Sequence, residues 1–199
     1  MRREQIRENN RKALIAAAVA DIAEHGYQAA KLGEIAERAH LTTGAVYSIF
    51  GSKRALLVAA TRQTVEDFNE SLRPLADPVL SLTEVLDGYV AAMLGPADGR
   101  AHERFAFELE TMAAALRDPR LMAEIEAEVP QALPLLTELL TDRRADSGIR
   151  TTAAQAARMA PAVEALLSGF AQHGNALRPY VDRDYVRASA VALTALIAT

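Results

Sequence analysis

Almost every segment of this chain repeats its apolar residues at intervals of three and four, and the every-other-residue alternation of a half-buried strand is absent. A chain patterned in this way packs helices against helices. Half of its 199 residues are apolar and only 5% are aromatic, so the core is built from small and aliphatic side chains that let helices approach closely. Alanine, abundant here, also favours the helix itself. With no cysteine, disulfides and thiolate metal sites are excluded, and the composition suits a reducing cytosol.

Start and stop signals divide the periodic sequence into about nine helices. Ile15, Ala18, Val19 and Ile22 share one face of the first, which His25-Gly26 closes with a glycine where a left-handed residue is wanted. Leu32, Ile35, Ala36 and Ala39 repeat the spacing in a short second helix. His40-Leu41-Thr42 is a tight polar turn, and Thr43 to Phe50 forms a third helix with Val46 and Phe50 inward. Gly51-Ser52 breaks it, and Ser52 can cap a fourth helix from Lys53 to Leu72. Ser81-Leu82-Thr83-Glu84 is a capping box that opens a fifth, which Gly95-Pro96 ends. A sixth covers Arg100 to Leu116. Asp118-Pro119 starts a seventh, which Pro130 and Pro134 kink or break. Asp142 to Arg150 is a polar loop. The eighth helix spans Thr152 to His173 with Pro161 inside it, and the ninth Asp182 to Ala198.

Charge is divided unevenly along this series. The net charge is −4, yet residues 1–62 hold ten Lys+Arg against six Asp+Glu, and residues 63–199 hold twelve against twenty. A basic head on an acidic body is the electrostatic footprint of a protein that presents one end to a polyanion. The head contains the means to do so. A helix fits the major groove, and residues near its N-terminus reach base edges. On the third helix the groove-facing candidates are Thr43, Ala45 and Ser48. Thr42 can cap that helix and meet a phosphate, Gly44 lets the backbone approach closely, and Tyr47 can place its hydroxyl on a phosphate. Lys53 opens the next helix, where its charge and free N–H groups attract an anion. The N-terminal arm carries Arg2, Arg3, Arg7, Arg11 and Lys12, which can touch the backbone or the minor groove.

These residues resemble the DNA-binding head of the tetracycline-repressor (TetR) family of bacterial transcription regulators. The resemblance rests on Gly26-Tyr27 after the first helix, Ile35-Ala36 in the second, and the frame Gly44, Tyr47, Phe50 and Lys53, and it covers about Arg11 to Leu57. Three positions depart from the family pattern. Lys31 stands where a Ser or Thr caps the second helix, exchanging that cap for a possible phosphate contact. His40 replaces the glycine of the turn, and Ile49 replaces a His or Tyr that can hydrogen-bond.

The resemblance implies an all-α protein with a helix-turn-helix DNA-binding domain over residues 1–55 and a helical ligand-binding and dimerisation domain over residues 56–199. The fourth helix runs through that boundary without a flexible linker. It further implies a homodimer built from the last two helices, for which Ala154, Ala157, Ala165 and Gly169 allow close approach and Leu166, Phe170, Val186, Ala190, Leu193 and Ile197 supply apolar surface. Such a dimer sets two recognition helices ~34–36 Å apart on a palindromic operator in double-stranded DNA. A small-molecule effector of unknown identity is implied within the body. Candidate lining residues are Tyr89 and Met93 on the fifth helix, His102, Phe105 and Met112 on one face of the sixth with Glu108 beside it, and Met159 on the eighth. An acid in that wall favours a cationic or amine-bearing ligand.

Other classes find little footing. Four isolated histidines and no His-Glu-x-x-His leave a metal without ligands, no glycine loop cradles a phosphate, and no cofactor or catalysis is expected. Arg2 and Arg3 ahead of the apolar run Ala13 to Ala20 imitate a signal peptide, but Glu4, Glu8, Asn9 and Asn10 interrupt it and the helical period continues into Ile22. No run approaches the ~20 apolar residues of a membrane span. A cytoplasmic location is therefore expected. A repressor released from its operator by an effector is the foremost expectation. Its rivals are control by a protein partner, and activation instead of repression.

Overall fold

The computed structural model describes residues 2–94, 100–176 and 182–198. They form α1 (Arg2–His25), α2 (Leu32–Arg38), α3 (Thr43–Phe50), α4 (Lys53–Ser71), a single 3-10 turn (Arg73–Ala76), α5 (Leu82–Leu94), α6 (Arg100–Arg117), α7 (Pro119–Glu128), α8 (Ala132–Leu140), α9 (Ala153–Ala176) and α10 (Arg183–Ala198). The fold is all-α, and among the described residues there is no β-strand, only an isolated bridge between Arg144 and Arg150 within the polar loop.

Among the described residues ten helices stand where about nine are expected, because the disturbance at Pro130 is a break. Val129 and Gln131 both adopt extended backbone. Proline removes the amide that would continue α7 and forces its predecessor out of the helical region. Pro134 falls in the first turn of α8 and Pro161 inside α9, and neither ends its helix. The caps form as their sequences dictate. Ser81 and Glu84 exchange side-chain to backbone bonds at 2.8 and 3.2 Å, and Asp118 accepts from the amides of Arg120 and Leu121. The Gly95-Pro96 stop lies outside the described residues.

Contacts divide the chain into two compact units, residues 1–66 with 102–130, and residues 67–101 with 131–199. The first has its own core, with Leu14, Ala18 and Ile22 of α1, Ile35 and Ala36 of α2, Val46 of α3 and Leu56, Leu57 and Ala60 of α4 all buried. Phe107, Ala114 and Ala115 of α6 and Leu121 of α7 complete it. In this unit α6 and α7 cover the side left open by α1 to α4. Two polar ties fix them there. Arg54 of α4 donates to Asp118 at 2.5 Å and to Glu124 at 3.5 Å, and Glu110 of α6 accepts from the backbone N–H of Tyr27 at 3.3 Å.

The second unit has a separate core. Val85, Leu86, Tyr89 and Val90 of α5 pack with Leu136, Leu139 and Leu140 of α8, Ala156, Met159, Ala160, Val163 and Leu167 of α9, and Val186 and Ala190 of α10. Its loops are clasped by Arg143, a buried guanidinium that donates to the backbone carbonyls of Leu139, Asp77 and Leu75. A buried cation whose donors all find acceptors holds its neighbours in place.

Candidate nucleic-acid interface

The recognition geometry begins with how α2 and α3 are set against each other. α2 starts at Lys31, whose extended backbone is right for a cap but whose side chain makes no capping bond. Instead Lys31 Nζ pairs with Glu34 at 2.8 Å on an exposed face. α2 ends in a Schellman turn. The amide of Leu41 donates to Ala36 O at 2.8 Å and that of His40 to Glu37 O at 2.9 Å. His40, at φ +54°, is the left-handed residue of this turn. A histidine occupies that region more readily than most side chains, though at a cost glycine avoids. α3 then opens at Thr42, whose Oγ1 accepts from the Ala45 amide at 3.3 Å, and closes at Gly51, at φ +80°. Ser52 caps α4 by accepting from the Ala55 amide at 3.0 Å.

One side of α3 is bolted inward by Val46, fully buried, with Ile49 and Phe50 half-buried beside it. The other side faces solvent. Thr42, Thr43, Gly44 and Ser48 are exposed, Ala45 is half-buried, and Tyr47 is 57% exposed. Burying an aromatic ring removes a large apolar area from water, so leaving one this open calls for another role. The tyrosine ring is thus largely open to solvent. At Gly44 an added Cβ would meet only Thr42 Oγ1, at 3.7 Å. Nothing inside the chain requires a glycine at that position.

Lys53 is half-buried and its ammonium has local partners. It donates to Gln28 O at 3.2 Å and lies 4.7 Å from the centroid of the Tyr27 ring. Burial pushes its pKa below the ordinary lysine range, and the charge of Asp21 works in the opposite sense. Lys53 thus ties α4 to the loop after α1. The opening of that loop depends on Gly26, at φ +83°, where an added Cβ would come within 2.9 Å of Glu110 Oε2. The N-terminal arm proves to be helix from Arg2 onward, so it is a stiff extension of α1.

The ligand candidates fall into two groups. His102, Phe105, Glu108 and Met112 belong to the first unit, and Tyr89, Met93 and Met159 to the second. On α6, Met112 is 54% exposed, and Glu108 is exposed and lies 3.6 Å from Arg104. On the other side, Tyr89 and Met159 are buried in the second core. There the Tyr89 hydroxyl donates to Glu164 of α9, and the Phe68 ring stands edge-on to Tyr89 at 6.0 Å. Glu164 is an acid that sequence reasoning missed. Its signal was a single charge inside an apolar stretch of α9. Among the described residues, no group of three His, Cys, Asp or Glu could hold a metal ion, and no helix is long and apolar enough to cross a membrane.

On the outer surface of α9, Ala154, Ala157 and Ala165 are exposed, and a Cβ on Gly169 would meet nothing within 4 Å. Leu166, Phe170 and Leu193 are half-buried, Val186 and Ala190 are fully inside, and the side chain of Ile197 lies outside the described residues. Tyr185 of α10, 64% exposed, stacks edge-on against Phe170 at 5.9 Å. The two rings of this pair lie on different helices, so no local sequence signal joins them.

A short helix held from behind by a three-helix scaffold, with a polar face and an uncovered tyrosine, is the helix-turn-helix head of a DNA-binding regulator. Residues 14–60 match the model of the bacterial regulatory proteins of the tetR family. The head of the chain is thus that family's N-terminal domain by sequence. Solved structures share the fold along nearly the whole length. A putative TetR-family transcriptional regulator from Rhodococcus sp. superposes with a TM-score of 0.74 at 15% identity, covering 96% of this chain and 100% of its own. The transcriptional regulator FadR from Bacillus subtilis, in complex with stearoyl-CoA, gives 0.70 at 19% identity over 94% and 97%. A putative transcriptional regulator from Saccharomonospora viridis, in complex with choline, gives 0.69 at 17% identity over 90% and 92%. No curated protein matches the chain in sequence.

Proposed function

We propose that the protein is a homodimeric, cytoplasmic repressor that binds a palindromic operator and leaves it when a small molecule enters the body. The observation that carries this is the outer face of α3, where Thr43, Gly44, Tyr47 and Ser48 stand open to solvent on a helix whose opposite face is locked by Val46. Thr43, Ala45 and Ser48 face the bases in this reading. Thr42, Tyr47, Lys53 and Lys31 face phosphates, and Gly44 admits the DNA backbone. The functional division falls near residue 55, inside the unbroken α4 from Lys53 to Ser71, which carries the body's displacement to the head.

Dimerisation through α9 and α10 is supported by the exposed alanines of α9 and by Tyr185, a large ring left in water. Stearoyl-CoA and choline, held by two proteins of this fold, are chemically unlike, so the fold does not choose the effector. The interior acid Glu164, hydrogen-bonded to Tyr89 beside the Phe68 ring, favours a cationic or amine-bearing effector. An effector shifts the operator equilibrium only by as much as its affinity differs between the two conformers, typically ~1–3 kcal/mol. No enzymatic activity is part of this function.

The test is operator selection from fragmented genomic DNA, followed by binding of Tyr47→Ala. The wild type is expected to enrich particular fragments, and the variant to bind them at least tenfold more weakly with an unchanged melting temperature. A wild type that prefers no fragment over random duplex overturns the proposal. The sensing half is tested by a thermal-shift screen. Compounds that raise the melting temperature yet leave operator affinity untouched would point to control by a protein partner.

A further inference from the structure

The first two turns of α1 carry a basic ridge with no role in the fold. Residues 3–9 are exposed throughout, so this part of the helix packs on nothing. Arg3, Arg7 and Arg11 follow one another at intervals of four, the spacing that stacks side chains on one helix face. Like charges so stacked repel, and cations near a helix N-terminus oppose its dipole. The stacking of the arginines works against the helix, offset in part by Glu4 and Glu8 three residues before Arg7 and Arg11. Among the described residues, no acid pairs with Arg3 or Arg7, although Glu4 and Glu8 lie on a neighbouring ridge.

The direction of the ridge is set by the core. Seven residues are nearly two helical turns, so residues seven apart share a face. Seven beyond Arg7 is Leu14, and seven beyond Arg11 is Ala18, both fully buried against the rest of the head. Seven beyond Arg3 is Asn10, half-buried. The arginines therefore continue the very seam along which α1 meets the scaffold, past the point where the scaffold ends. Arg11 shows where that leads, because its guanidinium lies 5.9 Å from the centroid of the Phe50 ring at the end of α3. Arg7 and Arg3 follow at steps of ~6 Å along the axis, on the helix face that Arg11 turns toward Phe50.

We propose that Arg3 and Arg7 are a phosphate-anchoring ridge, a rigid helical rail that lies against the sugar–phosphate backbone bordering the groove entered by α3. This inference rests on the DNA-binding function above and assigns the contact to the backbone. An extended arm can thread a minor groove and read it, but a continuous helix is too wide for a groove ~6 Å across. Phosphate oxygens satisfy the unpaired guanidiniums and relieve their mutual repulsion. Such contacts position the protein and carry no sequence information.

The experiment compares the wild type with Arg3→Gln/Arg7→Gln over 50–200 mM salt. Two duplexes serve as probes, one recovered by selection with the wild type and one 40-base-pair duplex of random sequence. Each lost phosphate contact lowers the slope of log affinity against log salt by ~0.9, so the slope is expected to fall by ~1.8 per bound chain. The wild type's advantage at 50 mM then shrinks about tenfold per bound chain by 200 mM, and about a hundredfold for a dimer with both heads bound. Affinity for both duplexes is expected to fall by the same factor. Helical content by circular dichroism stays the same or rises, because a repulsive pair has gone. Arg120→Gln/Arg144→Gln, which removes two exposed arginines elsewhere, leaves the slope unchanged.

A wild-type slope retained in Arg3→Gln/Arg7→Gln overturns the ridge and leaves DNA binding standing. A loss confined to the selected duplex also overturns it, because it reveals base reading. A wild type that binds neither duplex overturns both the ridge and the function on which it rests.

Discussion

Lys31 is a residue whose proposed DNA contact stands against its place in the fold. It occupies the cap of α2 without capping it, and its ammonium is held on the surface by Glu34. That contact raises its pKa, the hydrogen bond contributing most, and lowers that of Glu34 in turn. Both groups are fully exposed, so this pair contributes little to stability. A serine restores the cap. Lys31→Ser is expected to stabilise the protein by ~1 kcal/mol while weakening DNA binding in a salt-dependent manner, read by thermal melting and by binding at two salt concentrations. Unchanged affinity would remove Lys31 from the interface. Tyr47 belongs to the same scale. Its motif spacing was legible in the sequence, but its exposure was not, because periodicity assigns a residue to a helix and leaves open whether a neighbour covers it.

At the scale of elements, boundaries were legible wherever local chemistry decides them. The Ser81–Glu84 box, the Asp118 cap and the break at Pro130 depend on residues within one turn of each other. The α2–α3 turn is of this kind too. Its Schellman bonds require a left-handed residue, and His40 fills the place at φ +54°. His40→Gly is expected to raise stability by ~1 kcal/mol by relieving that strain, measured by chemical denaturation, with α2 and α3 unmoved. A loss of stability would mean that the imidazole holds the turn by contacts of its own. Partners distant in sequence were not legible. The spacing of α6 groups Phe105 with Met112, but no local signal tells that Phe107 enters the first core or that Glu110 reaches the amide of Tyr27. For the same reason the candidate ligand residues, chosen helix by helix, divide between two units. Glu164 was passed over because its partner Tyr89 lies 75 positions away.

At the scale of the whole molecule, the proposed function holds two heads at one spacing, so the proposed α9–α10 interface sets the affinity. Ala165 is exposed on α9 and a large charge there leaves the fold of one subunit intact. Ala165→Arg is expected to give a monomer by analytical ultracentrifugation and to lower operator affinity by a hundredfold or more, since two linked heads bind far more tightly than one. A dimer that survives this change places the interface elsewhere. The head itself keeps two sets of residues apart. Ile35, Ala36, Val46 and Leu56 shape it from within, while Thr43, Gly44, Tyr47 and Ser48 take no part in that interior. In the proposed function, rewriting Thr43 and Ser48, the two of these that face bases, can therefore redirect the protein to a new address in a genome without asking it to learn to fold again.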